Sequence, residues 1–358
     1  LPLYLDHVGA NRGQIGAIMA SAALSGVLLR PLVAWSLDHL GRKPTIFAGT
    51  LLLGAGMGLL GFVDAPDWVA YVARLVAGVG LGATFASYFT FAADLIPPSR
   101  RTEGIALFGI TGLLPLMINP LAGELGVDAA ALRWFLPAMG GLVCLSLAFV
   151  ALVPETSITR GGPSSGLRAT LQALVARPVL PVWIATANFS FLVAVFMSFA
   201  TVAAQAAGAE RPAGLWFTYA GGAAAVRLLG ARLPDRVGNR NMVAPALAAY
   251  VAACLALASA VTDSDFMVAG LLAGLGHGYT FPVLTSQVVS RVPDAVRGAG
   301  LSTFTAVWDL TKLAGAPLMG LFADQQGDDA MFALAAVGAV AGLIGWAAAE
   351  HAWGTPSG

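Results

Sequence analysis

The chain has 358 residues, of which 58% are hydrophobic and only 11% charged, and its formal net charge is zero. A soluble domain carries about 25% charged residues, so a surface this apolar calls for lipid as its main solvent. The zero net charge argues against a nucleic-acid-binding surface.

A transmembrane helix needs about 20 mostly apolar residues, and eleven runs of that kind follow one another along the chain. They span residues 14–36, 45–63, 68–96, 104–125, 132–153, 179–203, 214–233, 242–261, 266–292, 300–322 and 330–349. Pro115, Pro120, Pro282 and Pro317 fall inside runs, as membrane helices tolerate. Cys144 and Cys254 lie within apolar runs and read as packing residues. The four histidines, His7, His39, His277 and His351, have no metal-ligand spacing. No metal or cofactor is expected. No Gly-x-x-x-x-Gly-Lys-Ser/Thr loop occurs, and the only lysines are Lys43 and Lys312, so ATP is not expected to drive the protein through a phosphate-binding loop.

Charge alternates between successive connections. One set holds Arg42, Lys43, Arg100, Arg101, Arg160, Arg168, Arg177, Arg232, Arg236, Arg240, Arg291 and Arg297, whereas the other holds Arg12, Arg133 and Arg211 among aspartates. The positive-inside rule puts the first set, with the C-terminal tail, in the cytoplasm. The opening "LPLYL" reads as the outer end of a further helix, which predicts twelve helices in the intact protein. Residues 154–178 are the longest connection, at first rich in Gly, Ser and Pro. They read as a cytoplasmic linker between an N-terminal bundle over 1–153 and a C-terminal bundle over 179–358.

The two halves repeat. At an offset of 197, Arg30 maps to Arg227, Asp38 to Asp235, Gly41 to Gly238, and "NPLAG" at Asn119–Gly123 to "APLMG" at Ala316–Gly320. At 196, "GVGLGATF" at Gly78–Phe85 maps to "GLGHGYTF" at Gly274–Phe281. Several ordered matches indicate two homologous six-helix halves. The charged turn at Asp38–Lys43 is therefore a device used twice. A carboxylate there can accept bonds from a helix N-terminus, glycine permits the turn, and the basic residues can pair with carboxylates or lipid headgroups. Such a cluster can latch and release the halves.

"AWSLDHLGRKP" resembles the signature between helices 2 and 3 of the major facilitator superfamily, through Asp38, Gly41, Arg42 and Lys43, with Ala34 and His39 as departures. "ARLPDRVGNR" resembles its second copy through Asp235, Arg236, Gly238 and Arg240. "RLVAGVGLG" from Arg74 resembles the helix 4 motif, and "LLPLMINPLAG" the helix 5 motif of antiporters through Pro120 and Gly123. The resemblance implies an all-α integral membrane protein of two six-helix bundles related by a pseudo-two-fold axis, in a bacterial cytoplasmic membrane. It also implies a secondary transporter working by alternating access, most like the drug and sugar efflux branches.

The expected activity is proton-coupled export of a small organic molecule by a monomer, with proton symport or facilitated uptake of a sugar or metabolite as the alternative. A multi-pass receptor or intramembrane enzyme is the distant one. The residues expected to gate are Arg30, Asp38, Gly41, Arg42, Lys43, Arg227, Asp235, Arg236, Gly238 and Arg240. Arg74 and Asp309 are the coupling candidates. Arg74 otherwise makes a structural pairing, and Asp309 with Lys312, one turn on, otherwise forms a buried ion pair. Lys312, His277, Asn188, Asn119, Tyr88, Gln205, Tyr279 and Gln287 are the cavity candidates, although a lone helical histidine such as His277 is more often a hydrogen-bonded packing residue.

Overall fold

A computed structural model describes residues 1–95, 112, 126–155, 171–172, 174–230, 233–293 and 296–354. Every regular element among them is helical. Contacts divide them into two compact units, one within Leu1–Gly112 and Ala122–Gly162, the other within Pro163–Gly358.

In the first unit, α1 spans Pro2–His7, α2 Arg12–Leu28, α3 Arg30–His39, α4 Arg42–Leu59, α5 Trp68–Leu95, α6 Leu132–Leu145 and α7 Leu147–Leu152. Asn11 caps α2 and Gln14 answers it in a capping box, a device worth about 1 kcal/mol. The run at 14–36, expected as one helix, is instead broken into α2 and α3, which meet at 50°. Pro31 in the first turn of α3 explains the break, because it lacks an N–H and its ring crowds the carbonyl one turn back. The run at 104–125 lies outside the described residues.

In the second unit, α8 spans Leu180–Ala206, α9 Gly214–Leu229, α10 Leu233–Val237, α11 Asn239–Leu257, α12 Asp263–Arg291, α13 Arg297–Gln326 and α14 Asp328–Trp353. Thr262 and Asp265 close a capping box at the start of α12. Helix α8 packs against α11, α12, α13 and α14 and is the buried centre of this unit.

Seven helices among the described residues are long and apolar enough to cross a membrane, or eight if α2 and α3 form one span. In the span Leu132–Leu152, formed by α6 and α7 together, only 6% of the apolar window is buried, against 67% in α8. A helix apolar all round yet so little covered by protein needs an apolar solvent. Helix α9, at 16 residues, is shorter than these seven, and α13 carries Asp309 and Lys312 mid-length.

The sequence repeat reappears as packing within each unit. Gly78 of α5 meets α2 at Ala22, and Gly80 meets α4 at Gly49 and Leu53. Gly274 of α12 meets α9 at Tyr219, and Gly276 meets α11 at Ala246 and Tyr250. Glycines and partners correspond at the offsets of 196 and 197. At each of the four glycines a Cβ would press on the neighbouring backbone, so the small side chain sets how closely the helices approach.

Candidate functional site

The close approach of α12 to α9 and α11 builds a buried cluster of aromatic and polar side chains. His277 projects from the glycine stretch of α12. Its Nδ1 lies 2.6 Å from the hydroxyl of Tyr219 on α9. Phe189 of α8 packs edge-on against His277 at 5.1 Å and against Trp308 of α13 at 5.0 Å. Phe281 and Phe304 extend the cluster along α12 and α13. Ser190 of α8 donates to the Trp308 carbonyl at 2.6 Å, which ties α13 to the central helix. Lys312 holds its ammonium 6.0 Å from the centroid of the Trp308 ring, and Arg227 of α9 and Lys312 both lie within electrostatic reach of His277. Tyr250 of α11 is fully buried and packs edge-on against Phe189. Its hydroxyl has the Tyr219 hydroxyl as its polar neighbour without forming a well-aligned hydrogen bond. Two cations, a histidine and a wall of rings within one unit suit a small anion that carries an aromatic or apolar body.

The remaining candidates scatter. Asn188 donates to the Ala339 carbonyl of α14 at 2.9 Å and is a packing bond. Gln287 donates to the Asn239 carbonyl, and Tyr279 to that of Gly230 at 3.4 Å. Gln205 is exposed in the last turn of α8, apart from the cluster. Tyr88 of α5 packs on the patch formed by Ile46, Leu147 and Val150 in the other unit. Arg74 of α5 donates to the Met19 carbonyl of α2 at 3.2 Å, and its Nε is buried without a hydrogen-bond partner. Arg30 is half-buried at the start of α3, and Arg236 is exposed in α10. Asn119 and the side chains of Asp38 and Asp235 lie outside the described residues. Asp309 is half-buried in mid-α13, one turn from Lys312.

A sequence model described as Major Facilitator Superfamily matches residues 1–210 and 182–353. The chain belongs to that superfamily. Over 349 residues it is 28% identical to an uncharacterized MFS-type transporter of Burkholderia pseudomallei, covering 94% of this chain and 83% of the relative. Over 321 residues it is 29% identical to the 3-(3-hydroxy-phenyl)propionate transporter of Escherichia coli, covering 87% and 78%. The crystal structure of a POT family transporter superposes with a TM-score of 0.79 at 11% identity, covering 97% of this chain and 90% of that one. This member of the Major Facilitator Superfamily is thus a multi-pass membrane transporter of small molecules.

Its repeated turns have a partner that sequence reasoning missed. Gly41 opens α4 with φ at 103°, and Glu155 sits against it. The Glu155 carboxylate accepts from the backbone N–H groups of Arg42 at 3.1 Å and Lys43 at 3.0 Å, the bare donors of the first helical turn. The Arg42 side chain turns back to the Leu37 carbonyl, and the Lys43 ammonium bonds the carbonyls of Ala151 and Val153. In the second unit of this transporter, Gly238 opens α11 with φ at 94°. There Glu350 of α14 lies 3.2 Å from Nε of Arg240, the counterpart of Lys43. Glu350 also takes both η nitrogens of Arg291, and both residues of that pair are buried. The one available signal was a glutamate closing the last apolar run of each half. The two glutamates stand 195 residues apart, outside the offsets that align the rest.

Proposed function

We propose that the protein is a proton-coupled transporter of small organic anions that carry an aromatic ring. The observation behind this reading is the cluster of Lys312, Arg227 and His277 lined by Trp308, Phe189, Phe281 and Phe304. Fixed cations favour a carboxylate, and ring edges and faces hold the rest of the molecule. The relative named for hydroxyphenylpropionate carries a substrate of this chemistry. An anion that enters together with a proton moves without net charge, so uptake by symport suits this cluster better than the export expected from the resemblance to the efflux branches. Export by antiport is the second reading.

In the proposed cycle Asp309 and Arg74 couple proton movement to the change of state. Asp38, Gly41, Arg42 and Lys43, with Arg30, Arg227, Asp235, Arg236, Gly238 and Arg240, latch and release the ends of the helices at the Gly41 and Gly238 turns. These turns face the cytoplasm by the positive-inside rule, the membrane is the cytoplasmic one, and the monomer is the working unit.

The test uses the protein in proteoliposomes under an inward proton gradient, with labelled 3-phenylpropionate and its uncharged amide supplied outside. The expected result is gradient-driven accumulation of the acid, alkalinisation of the outside medium, and loss of both in Lys312→Met. Equal entry of the amide, or undiminished uptake by Lys312→Met, refutes the anion reading. Accumulation that runs only against an outward proton gradient establishes export. Asp38→Asn is expected to stall turnover while leaving the protein folded.

A further inference from the structure

A pocket of about 290 Å³ opens between the start of α11 and the end of α14, well removed in sequence from the aromatic cluster. Arg240, Asn241 and Ala244 line it from α11, and Trp346, Ala347 and Glu350 from α14. Its charges do not cancel. Glu350 is 3% exposed and is engaged by both η nitrogens of Arg291. Arg240 then touches the same carboxylate through Nε alone. Among the described residues two guanidinium groups thus share one carboxylate, one positive charge in excess.

One of the lining residues also carries an unused donor. Trp346 is 6% exposed, and its indole N–H has no hydrogen-bond acceptor among the described residues. A buried donor without a partner costs roughly as much as a lost hydrogen bond, so an oxygen supplied from outside would be well received. The Asn241 side chain gives one of its amide N–H groups to the Val237 carbonyl at 2.8 Å.

Two apolar stripes run along the helices towards the pocket. On α14, Val337, Val340 and Ile344 are exposed at helical spacing and lead to Ala347. On α11, Leu255 and the exposed Ala248 and Pro245 lead to Asn241 and Ala244 in the same way. In a membrane protein these stripes face acyl chains. A cationic pocket with a spare N–H donor, at the end of a lipid-facing groove, has the form of a headgroup site.

We infer that this pocket binds the phosphodiester headgroup of an anionic phospholipid, with Arg240 and the Trp346 indole N–H as donors and the acyl chains lying along α11 and α14. A zwitterionic lipid suits it less well, because the carboxylate that an ammonium group would seek is already taken by two arginines.

The test is native mass spectrometry of the purified full-length protein exchanged into a mixture of phosphatidylglycerol and phosphatidylcholine. Wild type should retain one phosphatidylglycerol that phosphatidylcholine does not replace. Trp346→Phe keeps the ring and removes the N–H, and it should weaken retention about tenfold. Arg240→Gln should do the same, with Arg240→Lys recovering part of the loss. Arg240 is partly exposed and Glu350 keeps Arg291, so Arg240→Gln should unfold at the wild-type temperature in detergent and remains informative if Trp346→Phe does not fold. Equal retention of phosphatidylcholine overturns the proposal, as does unchanged retention in Arg240→Gln. Displacement of phosphatidylglycerol by inorganic phosphate alone also overturns it, by making the ligand a soluble phosphoryl group.

Discussion

Glu350 receives both η nitrogens of Arg291 at 2.7 Å, and the two side chains are 3% and 5% exposed. Arg291 also donates to the Pro178 carbonyl at 3.1 Å, so one guanidinium joins the end of α12, the end of α14 and the residue that leads into α8. A bidentate arginine–carboxylate pair fixes geometry as well as charge. Its burial makes each member depend on the other, since a lone buried ion keeps its desolvation cost without the attraction that offsets it.

Removing one partner should therefore be far worse than removing both. Arg291→Ala or Glu350→Ala is expected to lower stability by about 3–5 kcal/mol. The double variant Arg291→Met with Glu350→Leu should lose much less, because it strands no buried charge, and Arg240, which also touches Glu350, is partly exposed. Thermal unfolding in detergent checks this, and a double variant as unstable as the two singles combined would mean that the two side chains are not energetically coupled.

Gly41 offers a second contrast. Its φ of 103° is strained for any residue with a Cβ, and that Cβ would also lie 3.1 Å from the Glu155 carboxylate. Gly9 has φ at 88° with nothing within 4 Å of the added atom. Both alanine variants bear the backbone strain, about 1–2 kcal/mol. Gly41→Ala should bear in addition the displacement of Glu155 from the Arg42 and Lys43 N–H groups. It should lose more stability than Gly9→Ala, and it alone should slow transport. Equal losses in the two would show that Glu155 can move aside freely.

Most of the helices were legible because a membrane span is a statement about length and apolarity, and both can be counted from residues. The break at Pro31 was not read, because Arg30 and Pro31 sit inside an apolar run that counts as one span. The charged turns were visible through Gly41 and Gly238, whose spacing is local. Glu155 and Glu350 were not visible as their partners. Each is the long side chain of a single residue more than a hundred positions from the turn it serves, and such a contact leaves no pattern in the chain. The Tyr219–His277 bond was equally hidden, since it depends on how closely α12 approaches α9.

That approach is itself testable. A Cβ on Gly274 would collide with the backbone of Tyr219, whereas one on Gly221 or Gly345 meets nothing within 4 Å. Gly274→Ala should separate α12 from α9, lower stability and impair transport. Gly221→Ala and Gly345→Ala should be neutral or gain up to about 1 kcal/mol through helix propensity. The order is read from unfolding temperatures of the three variants, and a stabilised Gly274→Ala would show that the two helices do not meet at this residue.

Tyr219 and Tyr250 are neighbours, both fully buried and both aromatic, yet their hydroxyls differ in what they hold. The Tyr219 hydroxyl is 2.6 Å from His277 Nδ1, whereas that of Tyr250 has only the Tyr219 hydroxyl near it, without a well-aligned hydrogen bond. Tyr219→Phe leaves a buried ring nitrogen alone and should cost about 1–3 kcal/mol, with a matching loss of coupling in a cycle that includes His277→Ala. Tyr250→Phe removes a buried hydroxyl that lacks a well-aligned hydrogen bond and should be neutral or stabilising. Transport separates structure from function, because Tyr219→Phe should change the pH dependence of uptake if His277 works with its hydroxyl partner, and Tyr250→Phe should leave it unchanged. If Tyr250→Phe proves as costly as Tyr219→Phe, the two hydroxyls form one chain to His277, and the proton path through this unit begins one residue deeper, on α11.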